Sequence, residues 1–361
     1  MSPIPPNPLL GVGYHAVGAF LSANCYTPQK YIRRWAWEIF WMVQAAWCWL
    51  LWPIIGAICT IPELGGVLAD APKQPMLLCF AMGMAYGVGG TAFNISIRYI
   101  GFSLTYSIAV GLSALTKTVV MPLVNGNLGD ILAANGSNWI VAGVAIGVLG
   151  IAVCGVAGRL KEIDFQGRAG GLGEFSLFRG LFFSLLAGVL SAVYGIAMED
   201  VARPIVAAAA EHGAGIWQGN IAYPFVNSGA FVTALLYSLY LARKNRTLGQ
   251  LTRLTDGKGR ASLATNYLLA TLTGTLWYGQ FFFYNLGHVR MSSADTSWAI
   301  HMIMLVLFSN LVAVIFREWK GCRLRTWIAI GLGLAALIAA VLSLTYGNYL
   351  GTPTIPAEPW K

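Results

Sequence analysis

Charge is what this chain has least of. Only 10% of its 361 residues are Asp, Glu, Lys or Arg, while 57% are hydrophobic. Apolar runs recur from end to end, and a run of roughly 20 residues is enough to cross the hydrocarbon of a bilayer. Once those runs are set aside, too little polar sequence remains for a soluble domain. Histidine is also scarce. The four present (His15, His212, His288, His301) are scattered, with no HxxxH or HExxH, so neither a metal site nor a membrane-embedded enzyme is indicated, and no cofactor is expected. The six cysteines show no CxxC spacing and lie mostly inside apolar runs, which argues against a disulfide framework. A basic n-region is missing ahead of the first apolar run, which is therefore expected to be a retained span and not a cleaved signal. The fold class that remains is an all-α integral membrane protein of several spans.

What charge there is has a pattern. A net +9 would suggest nucleic acid in a soluble protein, but here the basic residues sit between apolar runs, where they orient a protein in the bilayer. Ten spans are expected, at about 9–26, 36–61, 75–97, 101–121, 138–157, 178–199, 218–242, 264–286, 293–316 and 326–346. About eighteen Lys and Arg fall in the loops after the odd-numbered spans, and only Lys73, Arg203, Arg290 and Lys361 fall on the other side. The positive-inside rule then puts both termini outside and the basic, Gly-rich segment 158–177 in the cytoplasm. The N-x-[ST] matches at Asn94, Asn135 and Asn245 fall in a span and on opposite sides, and are read as chance.

The halves look weakly repeated. IRYIGFS joins the third and fourth spans, and GHVRMSS joins the eighth and ninth. Both follow a polar aromatic helix end. Two five-span halves, 1–157 and 178–346, would be inverted with respect to each other, and residues 347–361 form an irregular tail. Inverted repeats with a site at their interface characterise secondary transporters.

Polar groups inside such a chain are costly, on the order of 2.5–3.5 kcal/mol for an ionisable one near the bilayer centre. They concentrate at 276–302, LWYGQFFFYNLGHVRMSSADTSWAIHM. A sugar site needs amides that both donate and accept, and aromatic faces for the apolar side of the ring. Asn24, Asn94, Gln280 and Asn285 are the candidate amides. Trp277, Tyr278, Tyr284 and Trp298 are the candidate faces. The competing reading makes the amides helix-to-helix bonds and the aromatics an interfacial belt.

Proton coupling needs a group that titrates near neutral pH, which points to His15 and His301, with Asp295 as the nearest carboxylate. Asp295 equally suits a helix start. His288 is expected in a solvated turn, and His212 is given no role. Arg98 and Arg290 read as anchors, and Glu38 reads as the start of the second helix, where a negative charge suits the dipole. Lys117 lies inside the fourth span, at the same depth from the outer side as Glu199 and Asp200 in the sixth. It could pair with either acid as an outer gate, or reach the interface by its own length.

Read in order, His15, the basic turn before WAWE, IRYIGFS with SIAVG, PLVNGN, LWYGQFFFYNLGH, SWAIHM and the REW of Arg317 to Trp319 resemble the L-rhamnose–proton symporter family of the drug/metabolite transporter superfamily. The resemblance covers nearly the whole chain. It implies ten helices in two inverted five-helix repeats in a prokaryotic inner membrane, and alternating access around a site lined by spans one, three, four, six, eight and nine. The implied substrate is a small sugar, L-rhamnose or a related deoxyhexose, taken up with protons. The alternative within the superfamily is a transporter or exporter of another small metabolite, or coupling to Na+.

Overall fold

The computed structural model describes residues 5–351 apart from 101, 127, 166–175, 254–258 and 292–293; the side chains of 97, 98, 102, 103, 177, 259–262, 294 and 295 also lie outside the described residues. Among the described residues the chain is helical throughout. Its long elements are α1 (Pro8–Asn24), α2 (Trp37–Thr60), α3 (Lys73–Ile100), α4 (Phe102–Leu115, running on through Thr116–Val120 to Met121–Val124) and α5 (Ser137–Asp164). They continue with α6 (Leu177–Ile196, running on through Ala197–Val201), α7 (Tyr223–Lys244), α8 (Gly259–His288), α9 (Ala294–Ile315) and α10 (Leu324–Leu350). Eight of these are long and apolar enough to cross a membrane, all but α1 and α8. α1 has only 17 residues, and α8 carries Asn266, Gln280, Asn285 and several tyrosines along its 30. Large apolar side chains such as Leu9, Leu149, Phe178 and Leu332 stand exposed around the outside, as lipid-facing positions do.

Three helices widen into a π-turn just ahead of a proline. Ala46–Leu51 precedes Pro53, Thr116–Val120 precedes Pro122, and Ala197–Val201 precedes Pro204. Proline has no N–H for the carbonyl four residues back, and its ring crowds that carbonyl; a wider turn absorbs both effects. The fourth span, expected to end at about 121 just before Pro122, thus passes through a bulge, and α4 continues to Val124. These two bulges in α4 and α6 carry Lys117 and Glu199.

Packing follows a simple scheme. α3 lies against α6 and α7, and α8 lies against α1 and α2. α4 touches α6 and α5, while α9 touches α1 and α10; α5 and α10 form the longest contact. Glycine permits the closest crossings. A Cβ on Gly83 of α3 would overlap the Val226 carbonyl of α7, and one on Gly274 of α8 would come within 2.7 Å of the Gln44 carbonyl of α2. Each crossing glycine is followed three residues later by a large aromatic, Tyr86 or Trp277.

The basic end of the bundle is tied by specific bonds. Glu38 is buried at the start of α2 and accepts from Asn245 Nδ2 (3.0 Å) and Thr247 Oγ1 (2.8 Å), past the end of α7. It therefore joins two helices as well as meeting a helix dipole. Asn266 of α8 bonds the backbone of Arg33 in both directions, at 3.2 and 2.8 Å.

At the other end His212 has a role that its sequence context did not reveal. Its Nε2 lies 2.9 Å from Asp70 and its Nδ1 lies 3.3 Å from Glu63, pinning the short helix Leu64–Asp70 to the end of the helix Arg203–Glu211. The hydrogen bonds to Asp70 and then Glu63 hold its pKa above the ordinary histidine value of 6.5. A raised value means that the pin is fully present below about pH 6.5 and is lost as pH rises through the higher folded value. Amide exchange across residues 64–70, corrected for its intrinsic pH dependence, is expected to speed up through that window. His212→Ala should remove the transition.

Candidate functional site

α1, α4, α6, α8 and α9 converge near the end of the bundle opposite the basic loops. Lys117 Nζ, 2% exposed, lies 3.0 Å from Glu199 Oε2 and 2.6 Å from Asp200 Oδ2. Asp200 is also held by Arg203, at 2.9 Å, whose side chain is 69% exposed. The Tyr284 hydroxyl donates to the other Glu199 oxygen. Buried charges need partners of this kind, and here a lysine, two acids and a tyrosine satisfy one another across α4, α6 and α8.

Tyr284 connects this network to the histidines. Its ring centroid lies 5.2 Å from both His15 and His301, and those two are 5.7 Å apart. Both histidines are buried. Neither His15 nitrogen has a hydrogen-bond partner among the described residues, nor does His301 Nδ1. The α1–α8 contact is close because Gly11, Gly18 and Gly287 lie in it; a Cβ on Gly287 would fall 2.8 Å from His15 Nε2. His288 is not in a solvated turn. It ends α8, stacks on Tyr284 at 5.9 Å and lies 3.8 Å from Glu199, because α8 runs two residues further than the sequence pattern indicated.

An aromatic enclosure adjoins this network. Trp277 packs against Tyr26, Trp41 and Trp49 at 5.2, 5.8 and 5.4 Å. Trp49 reaches Tyr86 (6.1 Å), Tyr86 reaches Tyr194 (4.5 Å), and Tyr194 reaches Phe281 (5.1 Å) and Trp298 (6.4 Å). Trp298 meets Tyr284 at 5.6 Å and donates to Ser113 at 3.1 Å, which closes the path back to the histidines. Among these rings sit buried polar atoms without partners among the described residues. They are both amide atoms of Gln44, the indole N–H of Trp49 and of Trp277, and Asn227 Nδ2. The Tyr278 hydroxyl, also without a partner among the described residues, lies instead against Gly56 of α2, its ring packed on Tyr223 and Phe282. Gln44 shares its helix face with Trp41 and Cys48, at spacings of three and four. Asn227 Oδ1 accepts from Tyr194 at 2.7 Å.

A buried polar atom without a partner costs about 1–3 kcal/mol. A cluster of them between aromatic faces suits a ligand that is polyhydroxylated on its edges and apolar on one face.

The structure therefore brings together His15, His301, Tyr284, Trp298, Lys117, Glu199 and Asp200, with Trp277 in the adjoining enclosure; Tyr278 packs outside it, on Tyr223 and Phe282. Gln280 is buried where α1 crosses α8, its backbone carbonyl facing Gly18. Asn285 belongs to an amide chain that joins helices, bonding Asn220 at 3.4 Å, which in turn bonds Thr60 at 3.0 Å. Asn24 and Asn94 each donate to a carbonyl one turn back in their own helix and do not join the cluster. The Asp295 side chain lies outside the described residues. Contributions from α2 and α7 had no motif to announce them. The glycine-to-aromatic spacing at Gly83–Tyr86 and Gly274–Trp277 is the signal that could have found two of the rings.

The model of the family described as L-rhamnose-proton symport protein (RhaT) matches residues 6–348. The L-rhamnose-proton symporter of Cronobacter sakazakii is 31% identical over 334 residues, 92% of this chain and 95% of that protein. Those of Salmonella typhi and Salmonella newport are 29% identical over the same shares. The family is one of transporters and not of enzymes, and the chain is a multi-pass membrane protein. A match that runs from the start of α1 to the last turns of α10 takes in every element of the site just described, and the chain belongs to the L-rhamnose-proton symport protein (RhaT) family.

Proposed function

We propose that the protein takes up L-rhamnose together with protons by alternating access. The observation that carries this reading is the set of buried, unpaired polar atoms among aromatic rings, within a chain of this family. The sugar's hydroxyls would pair with Gln44, Asn227 and the indole N–H groups. Its apolar face and 6-methyl group would lie against Trp277 and Trp49. The His15–Tyr284–His301 triad, which adjoins the enclosure through Trp298, would pass protons, since a neutral imidazole offers one donor and one acceptor nitrogen. Asp295 at the start of α9 is a further candidate for that route. The pairing of Lys117 with Glu199 and Asp200 would act as the outer gate, α4 parting from α6 as access changes.

In this reading α1 and α8 also cross the membrane, making ten spans in two inverted repeats, 1–157 and 178–346, joined by a cytoplasmic linker at 158–177. The packing scheme supports it. Exchanging each helix with the one five places on turns α3–α6 into α8–α1, α3–α7 into α8–α2, α4–α6 into α9–α1 and α4–α5 into α9–α10, and each of these contacts is made. The same exchange relates Gly83 with Tyr86 to Gly274 with Trp277. The collection of basic loops at one end supports a cytoplasmic assignment for that end, with both termini outside, in a prokaryotic inner membrane.

Uptake of labelled L-rhamnose into proteoliposomes tests the reading. Accumulation above the external concentration under an inward proton gradient is expected, and equilibration without accumulation would refute symport.

A further inference from the structure

Three ionisable groups meet in the α4 and α6 bulges, with Arg203 just beyond them, and their arrangement is not that of a simple ion pair. Lys117 has two carboxylates, Glu199 at 3.0 Å and Asp200 at 2.6 Å. Glu199 is the buried one, its side chain 5% exposed against 23% for Asp200. Glu199 also accepts from Tyr284, the ring that touches both histidines. Asp200 leads outward instead, to the exposed Arg203.

We infer that Glu199 is the binding site for the coupling proton, with Lys117 as the cation that the proton replaces. This rests on the symport reading above.

The reasoning is one of neutralisation. A carboxylate at this depth must be neutralised or paired. When deprotonated, Glu199 is paired with Lys117. When a proton binds a Glu199 oxygen, an O–H bond forms and the attraction to Lys117 is lost. A lone lysine would then be stranded, but Lys117 keeps Asp200, its shorter contact. Arg203, which shared Asp200, is exposed, so its charge is left in water. The site therefore gains one positive charge without orphaning a buried one, and the charge moves with a neutral sugar. A single acid could not do this, because its protonation would leave Lys117 unpaired.

Every titratable or charged group described around Glu199 fits the scheme. Lys117 faces it from α4, Asp200 flanks it on its own helix, Arg203 opens the next helix, Tyr284 and His288 face it from α8, and Tyr223 of α7 lies near it with its hydroxyl committed to the Phe281 carbonyl. His15 and His301 stand behind Tyr284. With the proton on Oε1, the oxygen away from Lys117, Glu199 becomes a hydrogen-bond donor toward Tyr284, whose hydroxyl then turns from donor to acceptor. That reversal carries the proton's arrival to the ring that borders the sugar enclosure through Trp298.

The test uses the full-length protein in proteoliposomes with two readouts: alkalinisation of the medium on adding L-rhamnose, and exchange of labelled for unlabelled L-rhamnose. Wild type should show both, and if it shows neither, the symport reading itself fails. Glu199→Gln should keep exchange at a reduced rate while alkalinisation disappears, because glutamine is permanently neutral. Alkalinisation by Glu199→Gln comparable to wild type would overturn the inference and return the proton to the histidines. Should Glu199→Gln lose exchange as well, Glu199→Asp decides. A carboxylate one carbon shorter should restore rhamnose-driven alkalinisation with an altered pH profile. If it restores exchange without alkalinisation, the inference is wrong. Asp200→Asn should slow transport yet remain proton-coupled, and loss of coupling there alone would move the proton site to Asp200.

Discussion

Lys117→Met should destabilise the protein by about 3–5 kcal/mol, the range for removing one partner of a buried ion pair. The loss is large because two acids, not one, lose their cation. Asp200 has Arg203 to fall back on, whereas the buried Glu199 keeps, among the described residues, the Tyr284 hydroxyl and the distant edge of His288. Removing that charge in turn should recover much of the stability, so Lys117→Met/Glu199→Gln is expected to be more stable than Lys117→Met alone. Thermal unfolding in detergent reads both. Equal unfolding temperatures for wild type and Lys117→Met would mean that the lysine does not neutralise these acids. A single mutant less stable than wild type but not rescued by the second change would mean that Lys117 packs and does not pair with Glu199. Transport should fall in both variants, because each removes part of the outer gate.

Gln44→Leu should move stability and binding in opposite directions. Gln44 is fully buried, and neither of its amide atoms has a partner among the described residues. Leucine has similar bulk without the polar atoms, so the ligand-free protein should become more stable by about 1–3 kcal/mol, the penalty an unpaired buried polar group carries. The same change leaves rhamnose hydroxyls facing an apolar wall, which should weaken binding by roughly 10- to 100-fold. Half-saturation of uptake and rhamnose-induced thermal stabilisation measure the second effect. A Gln44 that merely joined helices would give the reverse, a less stable protein with unchanged affinity. Trp277→Ala lacks this sign difference because it also opens a cavity, so it discriminates less well between a sugar wall and core packing.

The outline of the fold and the crowded stretch from α8 into α9 were legible because membrane chains spend polar residues sparingly. Any cluster of them stands out against 57% hydrophobic sequence. Lys117 and the acids at Glu199 and Asp200 were legible for the same reason, with equal depth from one side supplying the pairing. The sugar enclosure was harder. Gln44 and Asn227 are single amides in apolar helices, and sequence does not separate such an amide from one that joins two helices; Asn285, chosen for the site, belongs to a joining chain with Asn220 and Thr60. Trp41, Trp49 and Tyr86 look like ordinary apolar positions until α2 and α3 are placed beside α8. The role of His212 was not legible because its partners lie 142 and 149 residues away, on a short helix that nothing local connects to it. Glu38 looked like a helix start, and its bonds to Asn245 and Thr247 depend on how α7 ends. The bulges in α2, α4 and α6 needed only the prolines that follow them, and reading each proline as a widened turn would have kept α4 whole.

The measurement that bears most directly on proton-coupled sugar uptake is accumulation of labelled L-rhamnose in proteoliposomes under an inward proton gradient, repeated with a protonophore and with Na+ varied. The account predicts accumulation that collapses with the protonophore and is unchanged between Na+-free and Na+-containing media. Accumulation that survives the protonophore and follows Na+ would contradict it.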